Sequence, residues 1–291
     1  MFGRRQLLLG GATVLAGAAV AACTGTGAKN ATSSSTEASA TTAPPPTAAP
    51  VQASTPVLPA PTTTQPSPAT TATLPEPTSV VANTATPRVV SGPATYVANG
   101  PPDGNTVALT FHLGGDPALV GELLDLLKAN GVTSTLFAIG DWLTANPALG
   151  HRAVDDGHEL GNHTKSHKSM LKLSRADVRA EIVGGGEALV PFIGSIGKWF
   201  RPSGTDVPSD VILEEAGSAG YAVSVGYDID SRDYQEPGAA AVIARVKKQL
   251  HAGAIVSLHF GHRDTIDALP QILDLLTANG LSNTTVTGLL G

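Results

Sequence analysis

Two histidines four residues apart, His163 and His167, sit in the stretch Gly157-His158-Glu159-Leu160-Gly161-Asn162-His163-Thr164-Lys165-Ser166-His167. A backbone that makes about one turn between them brings both imidazoles onto one ion. Neutral imidazole serves zinc, cobalt, nickel and iron alike, so the spacing points to a divalent metal without naming it. A bare pair of this kind is a weak signal, because paired surface histidines are common. The placement of other polar residues strengthens it. His112 follows the apolar run 105–111, Arg201 follows Trp199-Phe200, Asp228, Asp230 and Asp233 follow Val225, and His259 follows Leu258. Parallel α/β folds collect their chemistry at such strand ends.

The elements that must hold these residues alternate along the chain. Residues 105–111 read as a strand rich in β-branched and apolar side chains. Asp116 before Pro117 is a helix cap followed by proline at the first helical position. Leu119, Val120, Leu123, Leu124 and Leu127 form one apolar face of that helix, which Asn130-Gly131 ends. A strand is expected over 132–139, a helix from Trp142 to about 155, and a short strand from 158 into the histidine pair. Ser174 caps the next helix, which runs through Val178, Ile182 and Val183. Strands then follow at 198–201, 221–227, 254–259 and 284–287, with helices at 208–219, 239–250 and 268–278. This alternation predicts a single α/β domain with a mostly parallel sheet.

The rest of the chain is a different material. Arg4 and Arg5 precede an apolar run over 7–22 that reads as an export signal, and the two arginines resemble a twin-arginine signal. Val20-Ala21-Ala22-Cys23 resembles the lipobox of bacterial lipoproteins, which is cut before a cysteine that then carries lipid. Cys23 is the only cysteine, so no intramolecular disulfide forms. Residues 24–91 are Ala, Thr, Ser and Pro with few large apolar side chains, an extended tether that buries too little to fold. The expected layout is a signal over 1–22, lipidated Cys23 and linker over 23–95, and a folded domain over 96–291. The protein is then exported and held by its lipid on the outer face of the cytoplasmic membrane. A formal charge of −6, with no basic run beyond the signal, gives no support to a nucleic-acid partner.

Taken together, Thr110-Phe111-His112-Leu113, His163 with His167, Arg201-Pro202-Ser203-Gly204, Asp230-Ser231-Arg232-Asp233-Tyr234 and Leu258-His259 resemble, in order and spacing, the motifs of the polysaccharide deacetylase family. This is carbohydrate esterase family 4, the nodulation-protein-B (NodB) homology domain. The resemblance covers about 105–290 and implies a distorted (β/α)7-type barrel. It also implies a hydrolase that removes N-acetyl or O-acetyl groups from chitin-like sugars, peptidoglycan or xylan. The implied cofactor is a divalent metal, usually zinc, that polarises the acetyl carbonyl; cobalt or nickel would serve.

Carried over residue by residue, the resemblance makes His163 and His167 metal ligands and His259 the general acid. Asp233 orients His259, Arg201 braces the base, and Tyr234 lines the acetyl pocket where the family has tryptophan. Ser203 and Gly204 fall beside the substrate. The chain departs from the family at the first motif, where two aspartates are replaced by His112 and Leu113. Leucine cannot ligate, and two histidines fall short of the three protein ligands usual for catalytic zinc. Three outcomes stay open. His112 completes a three-histidine site; or it serves as the base, with Asp116 or His262 completing the ligation; or hydrolysis is lost and a glycan-binding groove remains. Asp116 fits better as the helix cap. The leading expectation is a lipid-anchored, metal-dependent deacetylase of an acetylated cell-envelope or extracellular glycan. The alternatives are a catalytically silent glycan-binding lipoprotein, and metal capture by His112, His163, His167, His259 and His262.

Overall fold

A computed structural model describes residues 90–291. The export signal, Cys23 and the tether through residue 89 lie outside the described residues. In chain order the strands are β1 (Thr95–Val97), β2 (Thr106–Leu113), β3 (Thr135–Ala138), β4 (Glu159–Asn162), β5 (Val223–Val225), β6 (Ile229–Asp230), β7 (Ile255–His259) and β8 (Ser282–Asn283). The helices are α1 (Pro117–Ala129), α2 (Gly140–Ala145), α3 (Pro147–Asp155), α4 (Arg175–Ile193), α5 (Asp210–Ser218), α6 (Ala239–Gln249), α7 (Arg263–Ala278) and α8 (Val286–Leu290).

The main sheet runs β4-β3-β2-β7-β6, every ladder parallel, with β8 beside the start of β2. β1 pairs with β5. Phe200 bridges Asn162 at the end of β4 to Ser224 in β5, and Asn99 bridges Ala254 just before β7. The expected parallel α/β architecture is therefore present. Among the described residues, single bridges at Phe200 and Asn99, and no continuous ladder, link the β1–β5 pair to the main sheet.

Strand parity separates the core from the site. Val107, Leu109, Phe111 and Leu113 of β2 enter the large apolar cluster with Leu123, Leu127, Val242 and Leu269 from the covering helices. Ala108 belongs instead to a second cluster with Phe137, Val225 and Ile255. Thr110 and His112 continue that second face, because successive side chains on a strand point to opposite sides. β7 obeys the same rule: Val256 and Leu258 join the large cluster and Ile255 the other. His112 stands in register with His259 on β7 and with Phe137 on β3. Parallel strands in register put equivalent residues on one face, so the two histidines are neighbours.

Several expected elements are redrawn. The helix expected from Trp142 to 155 is two helices, because Asn146 precedes Pro147 and is pushed out of the helical region to φ −127°, ψ 55°. The strand expected at 198–201 shrinks to the bridge at Phe200. α7 begins at Arg263, well before 268, and tolerates Pro270 inside it. The strand expected over 284–287 gives way to β8 and then α8, whose N-cap Thr285 accepts a hydrogen bond from the Gly288 amide. That local cap outweighs the β propensity of Thr284-Thr285-Val286-Thr287. Asp116 is a cap as expected, its carboxylate accepting from the Ala118 amide at 2.8 Å.

α4 buries Val178, Glu181, Ile182, Gly185, Gly186 and Leu189. It lies so close to the histidine loop that a Cβ on Gly185 would sit 2.6 Å from the Thr164 carbonyl carbon and 2.9 Å from its Cα. A Cβ on Gly184 would meet only the Lys165 side chain, which can move. Replacing a helical glycine by alanine ordinarily stabilises by about 1 kcal/mol. Gly184→Ala should follow that rule. Gly185→Ala should instead destabilise by about 2 kcal/mol, as overpacking does. Urea-unfolding midpoints check this pair; equal shifts would mean that α4 does not seat against the loop.

Candidate active site

His112, His163, His167 and His259 meet at one cleft of about 550 Å³, with Pro202, Gly204, Tyr227 and Tyr234 on its walls. The His112 ring stacks on His163 at 4.2 Å between centroids and meets His259 edge-on at 4.3 Å. His163 and His167 lie 4.9 Å apart at 62°, so the two imidazoles do converge. Tyr234 is 44% exposed with its ring 4.9 Å from His259, at the mouth. His262 stands on the rim, its Nδ1 2.8 Å from the Glu236 carboxylate.

Arg201 lies beneath this floor with 1% of its surface exposed. Its Nε donates to the Val225 carbonyl at 3.0 Å and Nη2 to the Gly226 carbonyl at 2.8 Å. Nη1 donates to Thr110 Oγ1 at 2.9 Å and lies 3.2 Å from His112 Nε2. The guanidinium packs on Phe137 at 4.0 Å and Tyr227 at 5.3 Å. An ion pair with Asp228 or Asp230 is not formed: those carboxylates pair with His251 and Arg232. Burial lowers the Arg201 pKa to about 9, which leaves it charged at neutral pH.

Guanidinium groups only donate, so the contact fixes the His112 tautomer. Nε2 accepts, and the ring proton resides on Nδ1, which is shielded and has no partner. His163 is fixed in the complementary sense. Its Nδ1 donates to the Arg201 carbonyl at 2.9 Å, leaving a buried, unpartnered Nε2 lone pair at the cleft.

At the opposite wall, His259 Nδ1 donates to Asp233 Oδ1 at 2.6 Å. The His259 amide and Thr265 Oγ1 donate to Asp233 Oδ2 at 2.7 and 2.6 Å, and the Tyr234 amide to Oδ1 at 2.9 Å. Burial alone would raise the Asp233 pKa, but the hydrogen bonds from His259 and Thr265 hold it below the ordinary carboxylate range. A carboxylate on Nδ1 fixes the imidazole so that Nε2 is left for a ligand. Ser203 is placed differently from expectation. It is fully buried, with its hydroxyl donating to the Lys168 carbonyl at 2.6 Å and 3.0 Å from Thr164 Oγ1. It braces the histidine loop, whereas Gly204 next to it does line the cleft.

The donor set can be weighed against a metal. His163 fits a ligand role, with Nδ1 held by a carbonyl and Nε2 free, and His167 is beside it. His112 does not fit as the third. Ligation through Nε2 would displace Arg201, and ligation through Nδ1 would require an imidazole with no ring proton. Leu113 faces the apolar cluster on the other side of the sheet. Asp116 is occupied as a cap. Among the described residues, no group of three or more His, Cys, Asp and Glu side chains is arranged to hold a metal ion. The residues present therefore supply two ligands and fall short of a three-ligand site.

Residues that sequence reasoning passed over also shape the site. Tyr227 walls the cleft and donates its phenol proton to Asp206. Asn162 fixes the loop, its Oδ1 accepting from the Thr164 amide and its Nδ2 donating to the Ile182 carbonyl, both at 2.8 Å. Glu181 lies on the buried face of α4. A charged residue in the apolar stripe 178-181-182-185 was the available signal.

Burial holds the His112 and His163 rings well below the ordinary imidazole pKa, and neighbouring imidazoles add to this. Burial likewise lowers His158, whose Nδ1 accepts from the Ser134 amide. A histidine with a depressed folded pKa gives stability that is complete above its unfolded value near 6.5 and lost as pH falls below it. Unfolding free energy should therefore drop between pH 7 and 5, each such histidine adding a slope of up to about 1.4 kcal/mol per pH unit. Urea titrations across that range check this, and His158→Gln should flatten the dependence. A pH-independent midpoint would show that these rings take up protons as readily in the fold as in the unfolded chain.

Comparison with known proteins places this geometry. The family profile described as "Polysaccharide deacetylase" matches residues 99–224. A peptidoglycan-N-acetylglucosamine deacetylase of Bacillus cereus is 34% identical over 188 residues, covering 63% of this chain and 87% of the relative. A chitooligosaccharide deacetylase of Sinorhizobium fredii is 33% identical over 158 residues, covering 54% and 72%. Among solved structures, a CE4 family pseudoenzyme from Bacillus anthracis superposes with a TM-score of 0.64 at 26% identity, covering 69% of this chain and 70% of that one. A mutant of that pseudoenzyme, described as having restored enzymatic activity, superposes with a TM-score of 0.63 at 27% identity, covering 69% and 72%. With its strand-end histidines, its buried Arg201 and its Asp233–His259 pair, this chain belongs to the polysaccharide deacetylase family.

Proposed function

We propose that this protein is an exported, lipid-anchored glycan-binding member of the deacetylase family, with hydrolysis disabled at its first motif. The observation that carries this reading is the Arg201–His112 contact. It occupies the His112 lone pair, while Leu113 faces the core. Neither a free base nor a third metal donor then faces the cleft from β2. The glycan class follows from relatives whose names specify peptidoglycan and chitooligosaccharide. A second cavity of about 450 Å³ shares Asp206 and Tyr227 with the cleft, which gives room for more than one sugar.

A second reading, a metal-dependent deacetylase that hydrolyses N-acetyl or O-acetyl groups of such a glycan, is favoured by the Asp233–His259 pair and by the convergence of His163 and His167. In it, His163 and His167 would hold a divalent ion, zinc first and cobalt or nickel next, which would supply Lewis acidity toward an acetyl carbonyl. Asp233 keeps a proton on His259 Nδ1, so Nε2 would accept a proton from the attacking water and return it to the leaving amine or alkoxide.

One experiment separates the two. Full-length protein is incubated with chitotetraose and with peptidoglycan fragments, with and without a chelator, measuring retention and acetate release together. The expected result is retention indifferent to the chelator, with acetate release no faster than in buffer. Acetate release that is abolished by the chelator and by His163→Ala would replace the binding reading with the hydrolase. Absence of retention and of release would remove both.

The anchor is tested separately. Wild-type protein should fractionate with membranes, and Cys23→Ser should move to the soluble exported fraction. An unchanged distribution in the variant would remove the lipid anchor.

A further inference from the structure

The loop between the two histidines contains two residues with left-handed backbones, Thr164 at φ 68° and His167 at φ 59°. Such conformations are strained for a non-glycine residue and persist only where surrounding structure imposes them. His163 is buried and held through its own bond to the Arg201 carbonyl. His167 has no comparable support. Its ring is exposed, and among the described residues no side chain hydrogen-bonds to it. Its direction is therefore set by the backbone that precedes it.

The midpoint of that backbone is gripped by one side chain. Glu181 Oε2 accepts from the Ser166 amide at 2.7 Å, and Oε1 accepts from the Ser166 hydroxyl at 2.5 Å. The Glu181 carbonyl accepts from the Lys165 amide at 2.8 Å. Glu181 is itself 4% exposed, on the buried face of α4. Lys168 approaches Oε1 at 3.2 Å, but its side chain is 61% exposed. An exposed lysine is worth little as a partner and does not by itself account for a buried carboxylate. The two bonds to Ser166 do. Burial raises the Glu181 pKa, yet those bonds and Lys168 bring it below the ordinary range, so the group is ionised at neutral pH.

The geometry points to Glu181 as a positioning residue of the histidine site: its carboxylate clamps the Thr164–His167 loop in the left-handed conformation that turns His167 toward His163. The role belongs to the free protein and holds for a glycan-binding cleft and for a hydrolytic one.

The test reads ring positions directly. In full-length protein with isotope-labelled histidine, a nuclear Overhauser cross-peak should connect the rings of His163 and His167, whose centroids lie 4.9 Å apart. Cross-peaks from His112 to His163 and to His259 serve as references for the rest of the floor. Glu181→Ala should abolish the His163–His167 peak and keep both references. Glu181→Gln retains an acceptor for the Ser166 amide and should restore it. If Glu181→Ala loses the references as well, Ser166→Ala, which removes one of the two bonds from the more exposed partner, should weaken the peak alone. A full-strength His163–His167 peak in folded Glu181→Ala, or in Ser166→Ala where Glu181→Ala unfolds, overturns the assignment. None of these outcomes depends on whether a glycan binds.

Discussion

The arrangement of this site depends on one buried cation. Arg201 reaches three parts of the fold at once: Thr110 and His112 on β2, the Val225 and Gly226 carbonyls at the end of β5, and the faces of Phe137 and Tyr227. Its own carbonyl holds His163. A guanidinium taken out of water is costly unless its donors are satisfied. Here carbonyls, a hydroxyl and an imidazole take four of its five N–H groups without an adjacent carboxylate. Because the group can only donate, its contacts dictate which nitrogen of His112 and, through its carbonyl, which nitrogen of His163 carries a proton. Moving Arg201 would change the chemistry of both rings together.

That dependence explains why replacing aspartates with His112 and Leu113 is more than a loss of ligands. An aspartate at 112 would meet Arg201 as an anion, and the pair would be neutral. The imidazole is neutral, so the local charge differs by one unit and the lone pair that could take a proton is already engaged. The buried carboxylate at the cleft, Asp233, is committed to His259, Thr265 and two amides. It is thus engaged in holding His259 and is not left free to take a proton from water.

Much of this was legible before any coordinates. Strand-end placement put His112, His163, Arg201, Asp233 and His259 at one site, and the cap residues Asp116 and Ser174 fixed two helix starts. Parity along β2 was also readable: Leu113 shares its face with Phe111 and Leu109, which made it a core residue, although motif reasoning treated His112-Leu113 as a pair. The helix break at Asn146-Pro147 was likewise written in the sequence. What was not legible depends on contacts between distant residues. The Arg201–His112 bond joins positions 89 apart, and no local pattern announces which lone pair it occupies. Phe200 as a single bridge, and Ser203 folded under the loop, are decided by neighbours from other elements.

The motif residues also serve the fold, and this bears on what their presence can mean. Arg201 closes the interior between β2 and β5, Asn162 ties β4 to α4 and to Tyr221, and Asp233 caps its own turn while holding β7. Each has partners that would keep it in place with no chemistry to perform. Their presence argues for the scaffold and is silent about turnover. Three groups are different: His163 Nε2, the exposed ring of His167, and His259 with only its Nδ1 engaged. His163 Nε2, the His167 ring and His259 Nε2 each lack a hydrogen-bond partner among the described residues. A polar floor left open in this way is costly where it is buried, and a ligand that satisfies it recovers that cost on binding. The case for function in this protein therefore rests on those atoms, more than on the motifs that carry them.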